Sequence, residues 1–372
     1  MKQVRLGLSI QVLNSFSAGI LSVVLPLMMV ERNIDVVTIG FVFAAMPMIF
    51  QLSRMAIGII SDFWGRRPFF FSNAVLGAIS SSIYYLAQTP LEFLFGKIIE
   101  GTKSASLWAV NRAFLMEKSE KKWRILVHLR TTSYVSSAAG SLISGFLIAG
   151  FLYDGAIALC ILVSVLVLPL SFLLAKEKRR ELSVSEAIQA LDFRRKGSEF
   201  KSFLLMFIVM GLAVGLLAGF VFPLFLLNSG FSTEEIGLLI GLQIFLAGVF
   251  SYIFAGRFRL RTIVLLSGAL YGVVLILLGV STPMFVGILV VSYGMVNGLL
   301  GIAQEGILSR ITNAESYGTD IGLLMMGLHG GRTISIALTG FLISAYGFAA
   351  PFLLSAFILM FFSFVAYRVL GS

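Results

Sequence analysis

The hydrophobic positions of this chain come in long unbroken runs separated by short polar breaks. The runs lie near 6–30, 36–60, 69–88, 91–115, 126–150, 154–175, 202–227, 234–255, 262–281, 283–308, 320–345 and 349–368. A helix needs about 20 apolar residues to cross the hydrocarbon core of a bilayer. Each run therefore predicts one crossing, and twelve crossings in 372 residues leave only short loops and no room for a large soluble domain. The first run follows Lys2 and Arg5 and is too long for a typical cleaved signal core. It reads as the first retained helix.

The polar breaks carry an alternating charge pattern. With the N-terminus inside, the inner segments hold Lys2, Arg5, Arg66, Arg67, Lys118, Lys121, Lys122, Arg124, the cluster from Lys176 to Lys201, Arg257, Arg259, Arg261, Arg310 and Arg368. The outer loops hold Arg32 with Glu31, Asp35, Asp154, Glu234 and Glu235. This positive-inside asymmetry predicts a multi-pass cell-membrane protein with both termini cytoplasmic. The one long polar segment, 176–201, reads either as a short amphipathic helix on the inner membrane surface or as a flexible linker. Ser183 and Glu186 within it have capping-box spacing.

Composition agrees with this reading. Apolar residues make up 58% and charged residues 12%, against roughly half and a quarter in soluble domains. The net charge of +10 sits in the inner loops, so it does not call for a nucleic-acid partner. The single cysteine, Cys160, excludes an intrachain disulfide and a cysteine-based metal site. No metal and no cofactor are expected. The chain has no H-E-x-x-H, no nucleophile elbow and no phosphate-binding G-x-x-x-x-G-K-[ST]. An enzyme and an ATP-driven pump are both disfavoured.

The chain also repeats itself. Pro26, Ile39-Gly40 and Gly101 recur as Pro223, Ile236-Gly237 and Gly298 at an offset of 197, and GFLI at 145–148 recurs at 340–343 at an offset of 195. Ordered anchors at nearly one offset predict an all-α membrane protein of two pseudo-symmetric six-helix bundles. These are 1–175 and 202–372, joined by the 176–201 linker. Substrate is expected between the bundles near the midplane.

Between the second and third runs lies Gly58-Ile-Ile-Ser-Asp62-Phe-Trp-Gly65-Arg66-Arg67-Pro68. It reads as a tight turn. Gly58 allows close helix packing, Gly65 supplies permissive dihedrals, and Asp62 can cap amides or pair with an arginine. The pattern resembles the hallmark loop of the major facilitator superfamily, G-x-x-x-D-x-x-G-R-R, at its expected place. Helix number, repeat, orientation and central linker extend the resemblance over the whole chain. It implies a twelve-helix transporter whose gating loop is Gly58, Asp62, Gly65, Arg66 and Arg67, with Glu117 as its acidic partner. The fourth run, with Lys97, Glu100 and Gly101, resembles the family's proton-transfer motif. Gly140-Ser141-Leu-Ile-Ser144-Gly145 resembles its antiporter motif, with serine in place of proline.

Ionisable groups at bilayer depth are costly and mark functional positions. Lys97, Glu100 and Lys103 recur every third residue, so they share a side of one helix, and Ser104, Trp108 and Asn111 extend the stripe. Lys103 lies about 18 Å from the outer end at 1.5 Å per residue. Proton or substrate coupling and a structural ion-pair cluster are the two readings. His329 and Arg332 share a face of the eleventh helix, and Arg332 suits an anionic group. Gln11, Asn14, Gln243, Tyr293 and Asn297 are candidates for neutral hydrogen bonds in the cavity. Arg54, Arg112 and Arg130 read as snorkelling or gating residues, and Glu305 and Arg310 as gate or surface partners.

These residues predict a secondary transporter that moves a small organic solute by alternating access, as a proton-coupled exporter and a monomer in the bilayer. Buried positive groups outnumber buried acids, which favours anions or neutral amphiphiles over lipophilic cations. The alternatives are an uptake symporter or uniporter and, more remotely, a receptor or membrane-embedded enzyme.

Overall fold

A computed structural model describes residues 2–118, 122–175, 197–311 and 317–370. Every regular element among them is an α-helix: α1 (Lys2–Glu31), α2 (Val36–Trp64), α3 (Arg67–Leu86), α4 (Pro90–Lys118), α5 (Lys122–Phe172), α6 (Ser198–Gly215), α7 (Val221–Asn228), α8 (Thr233–Phe254), α9 (Leu260–Val280), α10 (Pro283–Ile311), α11 (Tyr317–Tyr346) and α12 (Ala349–Val369). Among the described residues nine helices are long and apolar enough to cross a membrane. Three further crossings have physical reasons for escaping that criterion. Helix α4 is long enough but carries Lys97, Glu100 and Lys103. Helices α6 and α7 form one pass, interrupted around Gly219 (φ 72°). Helix α5 contains two passes divided at Leu152, whose φ of 60° breaks the helix. Its second arm runs antiparallel to α1, with Cys160 beside Ser17 and Leu173 beside Gln3. The amphipathic segment expected at 176–201 lies outside the described residues except for its last five positions.

Helices α1 to α5 pack on one another as a first bundle, and α6 to α12 as a second. The bundles meet along two seams, α5 against α8 and α2 against α11. With twelve crossings both termini lie on one face, called here the terminal face. The opposite side is the far face. Gln3 bonds the backbone of Leu173 and Ala175, and Arg310 bonds the carbonyl of Leu370, which ties the terminal face together.

The repeat is visible in backbone geometry as well as in sequence. Asn33 and Gly230, 197 residues apart, both take positive φ (57° and 89°) just before a helix. Two residues on, Asp35 caps α2 through the amides of Val37 and Thr38, and Ser232 caps α8 in a reciprocal box with Glu235. Gly101 lets α4 meet the Met46 carbonyl of α2, and its counterpart Gly298 lets α10 meet the Ala247 carbonyl of α8. Hydrogen bonds from the Thr38 side chain and then its amide hold the Asp35 carboxyl below the usual carboxylate range. A depressed carboxylate stabilises the fold above its unfolded pKa, and the contribution is lost as pH falls through the folded value. Asp35→Ala is therefore expected to cost about 1 kcal/mol near neutral pH. Melting curves of mutant and parent should converge as the solution is acidified.

Candidate functional site

Helix α4 brings its charges into the interior of the first bundle. Glu100 accepts on one oxygen, Oε2, from both the Tyr84 hydroxyl of α3 (2.6 Å) and the Lys97 amine (2.8 Å). The Lys97 amine also lies 4.3 Å from the centre of the Phe43 ring on α2. Gly96 is needed here, because a Cβ would sit 2.2 Å from the Tyr84 ring. Lys103 is buried towards α3 and the second arm of α5: its stem lies over Gly77, and its carbonyl accepts from Asn73 (2.9 Å). Asn111 turns to α1, bonding the Gly7 carbonyl (3.3 Å) and Gln11 (3.1 Å). Trp108 does not join this stripe. It is 51% exposed on the outside of the bundle, where an indole can meet lipid without a buried partner.

Two of the cavity candidates have partners on α1. Gln11 donates to Ser15 (3.1 Å), and Asn14 donates to the carbonyl of Ile10 (3.0 Å). Asn297 is half-buried on α10.

In the second bundle the interior polar pair is aromatic. The hydroxyls of Tyr271 (α9) and Tyr293 (α10) lie 2.9 Å apart, and Ser355 of α12 hydrogen-bonds Tyr271. The Ser355 hydroxyl donates onward to the Ala213 carbonyl (2.8 Å). Gly294, the repeat counterpart of Lys97, packs so closely on α8 that a Cβ would lie 2.1 Å from the Gln243 carbonyl. A lysine cannot occupy that crossing, so the charge of the first bundle has no equivalent in the second.

Several polar atoms near the seams are buried without a hydrogen-bond partner: both amide atoms of Gln51 (α2), Gln243 Oε1 (α8), and His329 Nδ1 and Arg332 Nε (α11). The Phe50 ring meets the His329 ring edge-on at 5.2 Å across the α2–α11 seam. Tyr84, Tyr271 and Gln51 were not singled out from the sequence. The usable signal for Gln51 was a lone amide in an apolar run. For Tyr84 there was none, because a tyrosine near a helix end equally suits the lipid interface.

At the terminal face Arg66 holds Glu117 with two bonds, Nη2 to Oε1 (2.6 Å) and Nε to Oε2 (3.2 Å). Arg67 donates to the carbonyl of Phe172 (2.6 Å). Gly65 ends α2 with φ 82°. Gly58 needs a different explanation from close packing, since a Cβ there would meet nothing within 4 Å. The Asp62 side chain lies outside the described residues. Between the bundles, Arg130 of α5 pairs with Glu305 of α10 at 3.3 Å.

The far-face seams are tighter and are made by the repeat anchors themselves. A Cβ on Gly340 would lie 2.5 Å from the Val36 carbonyl oxygen and one on Gly145 2.4 Å from that of Thr233. Gly40 faces Gly340, and Gly237 faces Gly145. Backbone therefore meets backbone across both seams, and the far face is closed.

Two helical bundles built of helices long and apolar enough to cross a membrane describe a multi-pass membrane protein. A family model for the Major Facilitator Superfamily matches residues 7–303. Two solved structures of the nucleoside transporter NupG, one of a point mutant, superimpose with a TM-score of 0.82 at 14% sequence identity. The matches cover 99% and 100% of this chain and all of theirs. No curated protein matches the chain in sequence. The chain belongs to the Major Facilitator Superfamily.

Proposed function

We propose that this protein is a proton-coupled secondary transporter that exports a small organic solute by alternating access, as a monomer with both termini in the cytoplasm. The observation that carries the coupling is the convergence of Tyr84 and Lys97 on a single oxygen of Glu100 inside the first bundle. Protonating Glu100 removes the charge that holds Lys97. The amine is then free to change partner beside Phe43, which itself touches Phe220 across the bundle interface (5.6 Å). A proton on Glu100 thus has a physical route to the relative position of the bundles. Given cytoplasmic termini, the far face is closed towards the outside.

Export is favoured over uptake by the glycines of the Gly140–Gly145 stretch, which resembles the antiporter motif. Gly140 packs on the Phe16 carbonyl of α1, and Gly145 on α8. The fold shared with a nucleoside transporter carries no substrate assignment at 14% identity.

The test uses proteoliposomes holding a trapped pH-indicator dye, with an imposed pH gradient and candidate solutes added singly. Solute moving opposite to protons supports the reading. Movement in the same direction makes the protein a symporter, and movement without any pH change makes it a uniporter.

A further inference from the structure

We propose that the transported solute is an organic anion, and that its anionic group is received between α2 and α11 by Arg332, with Gln51 and His329 beside it. The inference rests on the transporter reading and names the substrate class for it.

Four basic side chains approach one another from both bundles. Arg54 of α2 lies within electrostatic reach of Arg112 of α4, and His329 of α11 within reach of both Arg54 and Arg332. Among the described residues no carboxylate acts on Arg54, His329 or Arg332. Three acids of the neighbouring helices, among the described residues, are committed elsewhere: Glu100 to Lys97 and Tyr84, Glu117 to Arg66, Glu305 to Arg130. Asp320, on the terminal-face end of α11, is also engaged. Arginines held close together at bilayer depth are costly, and a mobile anion that joins them offsets that cost.

A second observation is independent of charge. Three side chains of this row and its rim keep buried polar atoms with no partner among the described residues: Arg332 Nε, His329 Nδ1 and both amide atoms of Gln51. Buried polar groups are normally hydrogen-bonded, and exceptions call for a reason. His329 sits where α2 of one bundle meets α11 of the other, against Phe50, Gln51 is the next residue along α2, and Arg332 follows His329 by three positions on α11. That position couples occupancy to the arrangement of the bundles.

Arg332 is also prevented from being satisfied internally. The titratable groups that act on it in the second bundle, among the described residues, are Tyr293 and Tyr271, and those hydroxyls are engaged with each other and with Ser355. Its backbone is pinned by close contact with Gly211 and Gly215 of α6, which holds the residue in register. A guanidinium in this position offers a fork matched to a carboxylate or phosphate group.

The test measures thermal stabilisation of the purified full-length protein in detergent. The probes are three organic anions, benzoate, succinate and phenyl phosphate, with benzamide, succinamide and benzyl alcohol as uncharged controls and benzylamine as a cation. At least one anion should stabilise the protein while its control does not. Arg332→Gln should weaken that response about tenfold or more in apparent Kd, and Arg332→Lys should restore part of it. Gln51→Leu, which keeps all the charge, should weaken it by a smaller factor and guards against a folding defect at Arg332. Arg368→Gln, at the terminal face, should leave it unchanged. Equal stabilisation by the uncharged controls, no response to any anion, or an unchanged response in both Arg332→Gln and Gln51→Leu would overturn the assignment. Anion binding without transport in liposomes would overturn the transporter reading and leave the anion site standing.

Discussion

Glu100→Gln is expected to abolish pH-gradient-driven solute movement and to leave solute binding intact. The substitution preserves shape and keeps an acceptor for Tyr84, whose hydroxyl lies 2.6 Å from Oε2. It removes the negative charge opposite Lys97 and the group that could take up a proton. A hydrogen bond to a charged group is worth about 1.5–3 kcal/mol, so some loss of stability accompanies the loss of coupling. The two effects separate in a double-mutant cycle. Combining Glu100→Gln with Lys97→Met removes the stranded amine and should recover most of the stability, as replacing both members of a buried pair often does. It should not recover proton dependence. A single mutant that still drives solute with the pH gradient would show that the Lys97–Glu100–Tyr84 cluster only holds the bundle together.

The second large effect is expected at the far-face seams. Gly340→Val and Gly145→Val place side-chain atoms where a Cβ alone already lies within 2.5 Å of a carbonyl oxygen on the other bundle. Overpacking of this kind costs about 1–3 kcal/mol, which shifts the closed-to-open ratio by about fivefold to somewhat over a hundredfold. The far face should stand open and transport should fall, while the folded protein persists. A reporter cysteine at Val37 measures this directly, because Cys160 is fully buried and silent towards a membrane-impermeant thiol reagent. Labelling at position 37 should accelerate strongly in Gly340→Val. Gly150→Val is the control, since a Cβ at Gly150 meets nothing within 4 Å. Unaltered labelling and normal transport in both seam mutants would mean that the seams separate without cost and do not govern access.

Much of this molecule is legible in its sequence. Apolar runs of about bilayer length dictate helices, since a backbone in lipid must satisfy its own hydrogen bonds. The 197-residue offset shows that two halves share one plan, and Gly58–Arg67 places that plan in a family. Charge at bilayer depth singled out Lys97, Glu100, Lys103 and Arg332 because residues of this kind are too costly to occur there without a role.

The direction in which each helix faces is a different matter. A membrane helix is apolar towards lipid and towards its neighbours alike, so the periodicity that reveals a soluble helix's inner face is weak. The sequence by itself therefore determined the number of helices, their repeat and the identities of the buried charges. Only the tertiary structure decided that Glu100 turns to Tyr84 and Trp108 turns outward. The repeat shows the same division. Its glycines were recognisable as anchors from spacing alone, but their work is done in pairs, Gly40 with Gly340 and Gly145 with Gly237. Each pair joins one bundle to the other across positions far apart in the chain. Contacts of that kind depend on how two finished bundles dock, which no local pattern encodes. The gathering of Arg54, Arg112, His329 and Arg332 from three helices has the same origin.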